Sequence, residues 1–598
     1  MAPNKSLKKN SFYELALIYL SSVLILPWLL IDAMTIPKFT AVSVYTTYLI
    51  SQHLYKFNFK NQKLSFRIFK LWPIIMFFVA VLSSFRPNRE FWSQQFFGAY
   101  GRNTGIIFYL CLVVILIRFM IQNERGLHWK VIVCFFMTGL SVNVYYIFQY
   151  FKLDFTQWEE TYSIPSSFLG NPNFVSVFAG IYLGATIVFL AERKFFYFMK
   201  KEKTQNYFVG WRVINSMGAL TSTFVLLTNG SLQGKVVAIF LPLVYLLLML
   251  VIRLKKTSLR ALLIIIPGVL LVIILIVRRY TNVEIAATLL SRYDLQIRFS
   301  YWRVAGRLFQ DYPFGVGMDS LGDFYYRYAN PDDVGGISQV NASHNVALDF
   351  LVGGGIPLFV SYLILIIFTF VTSLKSIYRA RGSNRLEILI FSIWLSFILQ
   401  SLFSINQITL AFWTFICNGI LLSISLSDDN RSFIGTRERS TLKEVNPKIS
   451  NARKNISTSV LSIIVLLLGV LPLRSDLSFR ESLYSQDLRK IENSATNFPT
   501  NISRLLFASE TLCLNGDQDG AVRLANYAVG LNPSDVSAWI YLIKFLTKAY
   551  DQDIALTEIK KLDPTIELRD PTLSGYGSHG TNTANSHNSV SQRESRSC

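Results

Sequence analysis

Charge is scarce in this sequence: only 16% of its 598 residues are Asp, Glu, Lys or Arg. A soluble chain carries roughly a quarter, so a large water-exposed surface is not expected. Cysteine is also rare. Cys111, Cys134, Cys417, Cys513 and Cys598 are the five, and none forms a CxxC pair. That excludes zinc ribbons, dithiol redox chemistry and a disulfide framework. There are five histidines, His53, His128, His344, His579 and His587. No two stand at ligand spacing beside an acidic cluster, so no metal and no other cofactor is expected. Acidic residues are fewer than basic ones, 37 against 58, for a net charge of +21.

What the sequence has in abundance is apolar length. Hydrophobic residues make up 52% and aromatics 14%, concentrated in runs such as "SVLILPWLLI", "IPGVLLVIILIV" and "FVSYLILIIFTFVTSL". About 20 apolar residues cross a bilayer. About thirteen such stretches begin near Phe12, Thr40, Leu71, Gly105, Val131, Phe174, Val213, Val236, Ala261, Asn345, Ile388, Thr409 and Ser457. The fold class expected is an all-α polytopic membrane protein of about 12–13 transmembrane helices. The surplus positive charge is a topology signal with some attraction to anionic lipid, and nucleic acid is not an expected partner. With "KSLKK" at a cytoplasmic N-terminus, "KFNFKNQKLSFRIFK", "ERKFFYFMKKEK", "RLKKTSLR" and "KSIYRARGSNR" all fall on the cytoplasmic side. The first span lacks a small-residue cleavage site and is expected to stay as an anchor.

That topology turns residues 86–103, 152–173 and 279–344 outward. Their basic residues are notable for type. The first segment holds Arg86, Arg89 and Arg102, the last Arg279, Arg292, Arg298, Arg303, Arg307 and Arg327, and neither holds lysine. Arginine grips phosphate with a planar fork and stays charged, so an outward anion site is one reading. Headgroup snorkelling and pairing with loop acids is the other. Wound as a helix, "RFSYWRVAGRLF" puts Arg298 on a stripe with Trp302, Ala305 and Phe309, leaving Arg303 and Arg307 on another face as solvated charges. The helix should stop before "DYPFGVG", at Pro313. Gly315 and Gly317 there suit a tight turn or, as a weaker signal, a phosphate loop. His344 stands at an outward helix start in "QVNASHNVALDF", with Ser343 expected to cap the helix. An imidazole so placed can take a proton from a hydroxyl at neutral pH; the plain alternative is a polar residue at a membrane interface.

"FLGNPNF" before a span, "RFSYWRVAGRLFQDYPFGVG" in a large outer loop and "SHNVALDFLVGGGIP" closing it resemble, in that order, the O-antigen ligase family of bacterial membrane glycan transferases. Surface-glycan ligases, O-antigen polymerases and protein O-oligosaccharyltransferases share that family, and the resemblance covers roughly residues 10–427. It implies an enzyme that moves a glycan from a polyprenyl (undecaprenyl) diphosphate carrier to an acceptor hydroxyl, without a metal, on the outer face of the cytoplasmic membrane. The acceptor is a glycan, a lipid or a protein. By motif, Arg298 matches the arginine that holds the diphosphate, and His344 the histidine that activates the acceptor or assists the leaving group. Arg102 in "YGRNTG" resembles a further arginine, and Arg303 joins these two in the candidate diphosphate-binding set. Asn171, Pro172 and Asn173 match the "GNPN" signature as turn architecture; Trp302, Pro313, Gly315, Gly317 and Asn345 are motif positions of the same kind. One position departs: Gln233, in "NGSLQGK", stands where many members have an arginine.

Along the chain this places a transferase core at 1–427, a cytoplasmic linker at 428–456, a last span at 457–473, a small helical domain at 490–570 and a polar, disordered tail at 571–598. "LNP" at 531–533 returns as "LDP" at 562–564, close to a tetratricopeptide spacing. The domain is read as TPR-like, binding an envelope protein partner, or as a helical cap on the last span. A lipid-linked-glycan flippase or transporter is the rival function. Such proteins carry ionisable residues mid-span, whereas here Asp349 and Lys235 lie near span ends. A sensor or scaffold leaves the arginine loops unexplained.

Overall fold

The computed structural model describes residues 5–54, 71–87, 91–121, 125–156, 158, 164–192, 205–254, 293–333, 340–431 and 447–569. Among these residues the chain is helical, with no strand. The helices are α1 (Lys5–Val23), α2 (Ile36–Leu49), α3 (Trp72–Ser83), α4 (Trp92–Phe97), α5 (Ile106–Ile121), α6 (Arg125–Tyr150) and α7 (Pro172–Ala191). They continue as α8 (Gln205–Thr228), α9 (Leu232–Arg253), α10 (Tyr293–Asp311), α11 (Leu321–Tyr328), α12 (Val346–Arg379), α13 (Arg385–Ser401) and α14 (Ile408–Arg431). α15 (Pro447–Ser485) is followed by α16 (Leu488–Ala495), α17 (Ile502–Leu514), α18 (Gln518–Leu531), α19 (Val536–Phe545), α20 (Ala549–Leu562) and α21 (Ile566–Arg569).

The chain is a polytopic membrane protein. Six described helices are long and apolar enough to cross a bilayer: Gly126–Tyr150, Pro172–Ala191, Leu232–Arg253, Val346–Arg379, Ile408–Ser425 and Thr458–Ser485. Other expected spans coincide with shorter or less apolar helices. The span expected near Ala261, the 432–446 part of the linker and the tail from 570 lie outside the described residues. Spans pack where side chains are small, because lipid-embedded helices associate by close backbone approach. A Cβ on Gly180 of α7 would stand 2.2 Å from the Gly234 carbonyl of α9, and one on Gly234 2.1 Å from the Ser176 carbonyl. On α15, a Cβ at Gly469 would meet Ser43 of α2 at 2.2 Å.

Charges are buried inside the bundle that the sequence reading did not anticipate. Glu14 and Arg118 form a buried pair (Oε2–Nη2 3.0 Å), joined by the Tyr45 hydroxyl at 3.3 Å from Glu14 Oε1. Lys38 is fully buried and donates to the Met34 carbonyl at 2.6 Å. The free cysteines Cys111, Cys134 and Cys417 are buried.

α12 is not one continuous helix. Gly355 takes φ +69 and ψ −162, and Pro357 two residues later removes another donor. The carbonyls left open there are met by the outer loop. Val316 N donates to Val352 O at 2.8 Å, Gly317 N to Gly353 O at 2.9 Å, and Ile356 N to Pro313 O at 3.0 Å. Pro313–Gly317 is thereby laced to the broken helix as a short turn.

The C-terminal helices stack as successive neighbours. Asp487, Asn501, Asp517 and Asp535 cap α16, α17, α18 and α19, each satisfying free N–H groups of a first turn. "LNP" and "LDP" close α18 and α20. These helices do not stand apart from the membrane core: Phe91 and Phe479 belong to their apolar cluster, Tyr326 of α11 packs on the last helices, and Ser93 Oγ donates to Thr500 O at 2.9 Å.

Candidate active site

α10 buries Tyr301, Val304, Ala305 and Leu308, the i, i+3, i+4, i+7 pattern of one helix face. Arg298 sits half-buried one turn before Tyr301 on that face. The buried stripe is rotated from the expected one, so Trp302 and Phe309 lie at its edge, half-buried. Trp302 packs against Phe403 and Phe299, with ring centroids 6.0 and 5.3 Å away. Arg303 and Arg307 are exposed. Arg303 closes its fork on Asp333, Nε–Oδ2 3.0 Å and Nη2–Oδ1 2.7 Å, and Arg307 donates to Tyr328 O at 3.0 Å. Arg303 is therefore not brought to His344. Arg279, Arg292 and Arg89 lie outside the described residues.

His344 occupies a tight turn at φ +55, a region that costs a residue with a Cβ roughly 1–2 kcal/mol. Its neighbours hold it there. Asp349 Oδ1 accepts from Ser343 N and from Ser343 Oγ, both at 2.7 Å. Asn345 Oδ1 accepts from Ala347 N at 3.0 Å and Leu348 N at 3.2 Å. The cap of α12 is thus Asn345, not Ser343. Both residue types cap well, and Ser343 is one position too early, so its hydroxyl braces the turn through Asp349 instead. The His344 ring lies 5.4 Å from the Tyr301 ring at 31°.

Burial pushes the His344 pKa down to about 4, aided by the positive charges of Arg298 and then Arg102. The imidazole is therefore neutral at pH 7 and free to accept a proton. Arg102 comes from the 98–104 segment. Its Nη1 donates to Asn341 O at 2.8 Å and its Nη2 pairs with Asp319 Oδ1 at 3.2 Å. Burial works against that charge, but Asp319 and Asp349 outweigh it and leave the Arg102 pKa above its ordinary value. Asp319 also accepts from Ala99 N at 3.2 Å and Thr104 Oγ1 at 2.9 Å, fastening the outer loop to the 98–104 segment. Arg102 and Asp349 line a cavity of about 20 Å³ with Tyr109 and Asn406, room for one water.

The other motif positions are architectural. Gly315 and Gly317 have φ of +88 and +108, and their N–H groups go to Tyr312 O at 2.8 Å and Gly353 O at 2.9 Å. A phosphate loop needs such groups free, so the glycine pair is a turn. Arg86 is engaged likewise, donating to Gly315 O at 3.1 Å, to Ser83 O at 2.7 Å and to Phe314 O. Asn171 caps α7 by accepting from Asn173 N at 2.8 Å, with Pro172 at the first helical position. Pro172 O accepts from Asn229 Nδ2 at 3.0 Å. Gln233 donates to Phe403 O at 3.1 Å. Sequence reasoning missed Tyr301, Asp319, Asn341 and the bracing role of Asp349. Only Tyr301 had a legible signal, one turn from Arg298.

Residues 217–363 match the O-antigen ligase family. The match takes in Gln233, Arg298, the glycine turn and His344; Arg102, the "GNPN" turn and the C-terminal helices lie outside it. No curated protein matches the chain.

Proposed function

We propose that this membrane protein, whose residues 217–363 match the O-antigen ligase family, is a glycan transferase of the ligase or polymerase type, and that its residues act as follows. The donor is a glycan on a polyprenyl diphosphate. Arg298 and Arg102 hold the diphosphate, and His344 takes the proton of the acceptor hydroxyl as its oxygen attacks the anomeric carbon. The bond from that carbon to the diphosphate breaks, and polyprenyl diphosphate leaves with the electron pair. The observation that carries this reading is His344 held at the start of α12 in a turn braced by Ser343, Asp349 and Asn345, within the electrostatic reach of Arg298 and Arg102. Fixed positive charge stabilises a leaving group without waiting for solvent to reorganise, and each hydrogen bond to it contributes roughly 1.5–3 kcal/mol.

The low proton affinity of His344 has a use in this scheme. In the free site the arginines oppose protonation. A bound diphosphate neutralises them and raises the imidazole's affinity for a proton, so the base gains strength when the donor is in place. Arg102 would turn from Asp319 and Asn341 to meet the donor, whereas Arg303 lies on the exposed face of α10 paired with Asp333 and is left out of this scheme. The charge pattern of the loops supports a cytoplasmic N-terminus and a site on the outer face of the cytoplasmic membrane. The C-terminal helices then form a cap beside the outer loop, and a TPR-like role in binding an envelope protein would use their remaining face.

The test is a transfer assay. Purified protein receives polyprenyl-diphosphate-linked glycan with EDTA present, wild type beside His344→Ala, and products are read by mass. Transfer by the wild type and its loss in a folded variant is the expected result, and the product mass names the acceptor as glycan, lipid or protein. Equal transfer by the variant would remove His344 from the chemistry; movement of donor across vesicles without transfer would favour a flippase.

A further inference from the structure

A second cavity stands apart from His344. About 430 Å³ lies between the 91–103 segment, the start of α11 and the C-terminal helices α17 and α19. That volume falls in the range of specific ligand sites. It adjoins the candidate active site through shared walls: Asp319 and Asn341 line it, and both are partners of Arg102.

Its chemistry differs from that of an anion site. Asp319, Asp323, Asp476, Glu510 and Asp535 line it, with Arg504 as the basic residue. Arg504 is occupied, donating to Ala495 O and Pro499 O, each at 3.0 Å, and to Asn497 O and Ser475 Oγ. A phosphate or uronic acid would meet repulsion here. The carboxylates themselves are oriented. Asp476, fully buried, accepts from Tyr100 at 2.7 Å and from Ile31 N and Asp32 N, and Asp535 caps α19; Glu510, exposed on the wall, keeps acceptor sites for a ligand. Tyr100, Tyr541 and Phe507 add aromatic faces. Acceptor oxygens beside aromatic faces suit a chain of hydroxyl groups on apolar C–H faces.

We propose that this cavity binds a neutral or amine-bearing oligosaccharide segment, held by the C-terminal helices beside the transfer site. The proposal rests on the transferase reading for its purpose, though binding itself can be measured without turnover. The sugar chain is that of the acceptor or of the donor, and the experiment separates them.

The probes are chitotetraose, its fully deacetylated tetramer and tetragalacturonate, titrated into the full-length protein in nanodiscs and followed by saturation-transfer NMR. Ser503 lies exposed on the cavity wall, and Ser503→Trp fills the space; Glu510→Gln removes a charge without changing shape. The first two probes should bind and tetragalacturonate should not. Ser503→Trp should weaken binding at least tenfold with an unchanged melting temperature, and Glu510→Gln should weaken the amine-bearing tetramer more than the neutral one. Absence of binding by both uncharged and cationic probes, a preference for tetragalacturonate, or binding indifferent to both substitutions would overturn the proposal. In the transfer assay, a tenfold rise of KM confined to acceptor or to donor in Ser503→Trp names the source. Sugar binding without any transfer would leave the cavity assigned and refute the transferase reading alone.

Discussion

The protonation of His344 offers a test that needs no turnover. An ordinary histidine with a pKa near 6.5 is about one-tenth neutral at pH 5.5. With its pKa near 4, His344 stays almost wholly neutral at that pH, a difference of roughly tenfold in reactive imidazole. Diethyl pyrocarbonate acylates only neutral imidazole, so its rate at His344, read by mass spectrometry of the peptide, reports the fraction directly. In the wild type the rate should be nearly flat between pH 7.5 and 5.5. Burial is the first cause of the depression and Arg298 the second, so Arg298→Gln should restore part of the ordinary value. The variant's rate should then fall by up to about tenfold over that interval. The sign matters: losing a positive neighbour makes protonation easier, so the acid limb moves up in pH. Inorganic pyrophosphate bound between the two arginines should shift the wild-type limb in the same direction. A wild-type limb at pH 6.5, or a limb unmoved by Arg298→Gln, would refute the assembled cluster.

Other expectations follow from the same geometry. Arg298→Lys keeps charge but loses the fork, so transfer should fall by about tenfold to a hundredfold, the equivalent of one charged hydrogen bond, with membrane insertion unchanged. Arg303→Ala should leave transfer within about twofold, since an exposed pair contributes little; a large loss would place Arg303 in the site. Gly315→Ala sets a Cβ 2.6 Å from Gly355 N at a φ of +88, and should destabilise the protein by about 2–5 kcal/mol, read as a lower melting temperature in detergent. Gly306→Ala is the control: a Cβ there meets nothing within 4 Å, so the melting temperature should hold or rise. Asp349→Ala should release the Ser343 turn and reduce transfer while leaving sugar binding at the C-terminal cavity unchanged.

Periodicity made the local elements legible. α10 ends at Asp311, where Pro313 required it, and α12 begins just after His344. The exposed face carrying Arg303 and Arg307 followed from the same helical repeat. What periodicity could not carry was partnership between distant segments. Asp319 ties residues 99–104 to the outer loop across more than two hundred positions, and no local rule favours that aspartate over its neighbours. The glycine pair illustrates a subtler limit. Positive φ was readable from the residue type, but the destination of the N–H groups depends on a helix broken at Gly355, forty residues later. Likewise Arg118 and Lys38 sit near helix ends and Glu14 near the expected start of the first span at Phe12, where water or headgroups would be the default, and only the packed bundle shows them enclosed.

The break at Gly355 has a mechanical consequence. The nine residues from Val346 to Gly354 are bound by the outer loop, while the stretch from Ile356 to Arg379 is long enough, at about 36 Å, to span the bilayer alone. Membranes differ in thickness, and a span answers by changing its tilt. In an unbroken helix that tilt would swing His344 bodily. Here the helix is divided at Gly355, and Pro313–Gly317 ties both sides of the break, Val352 and Gly353 towards His344 and Ile356 towards the membrane span. The outer loop therefore clamps the break itself, and a change of tilt in the span is transmitted to the loop as well as to the turn at His344.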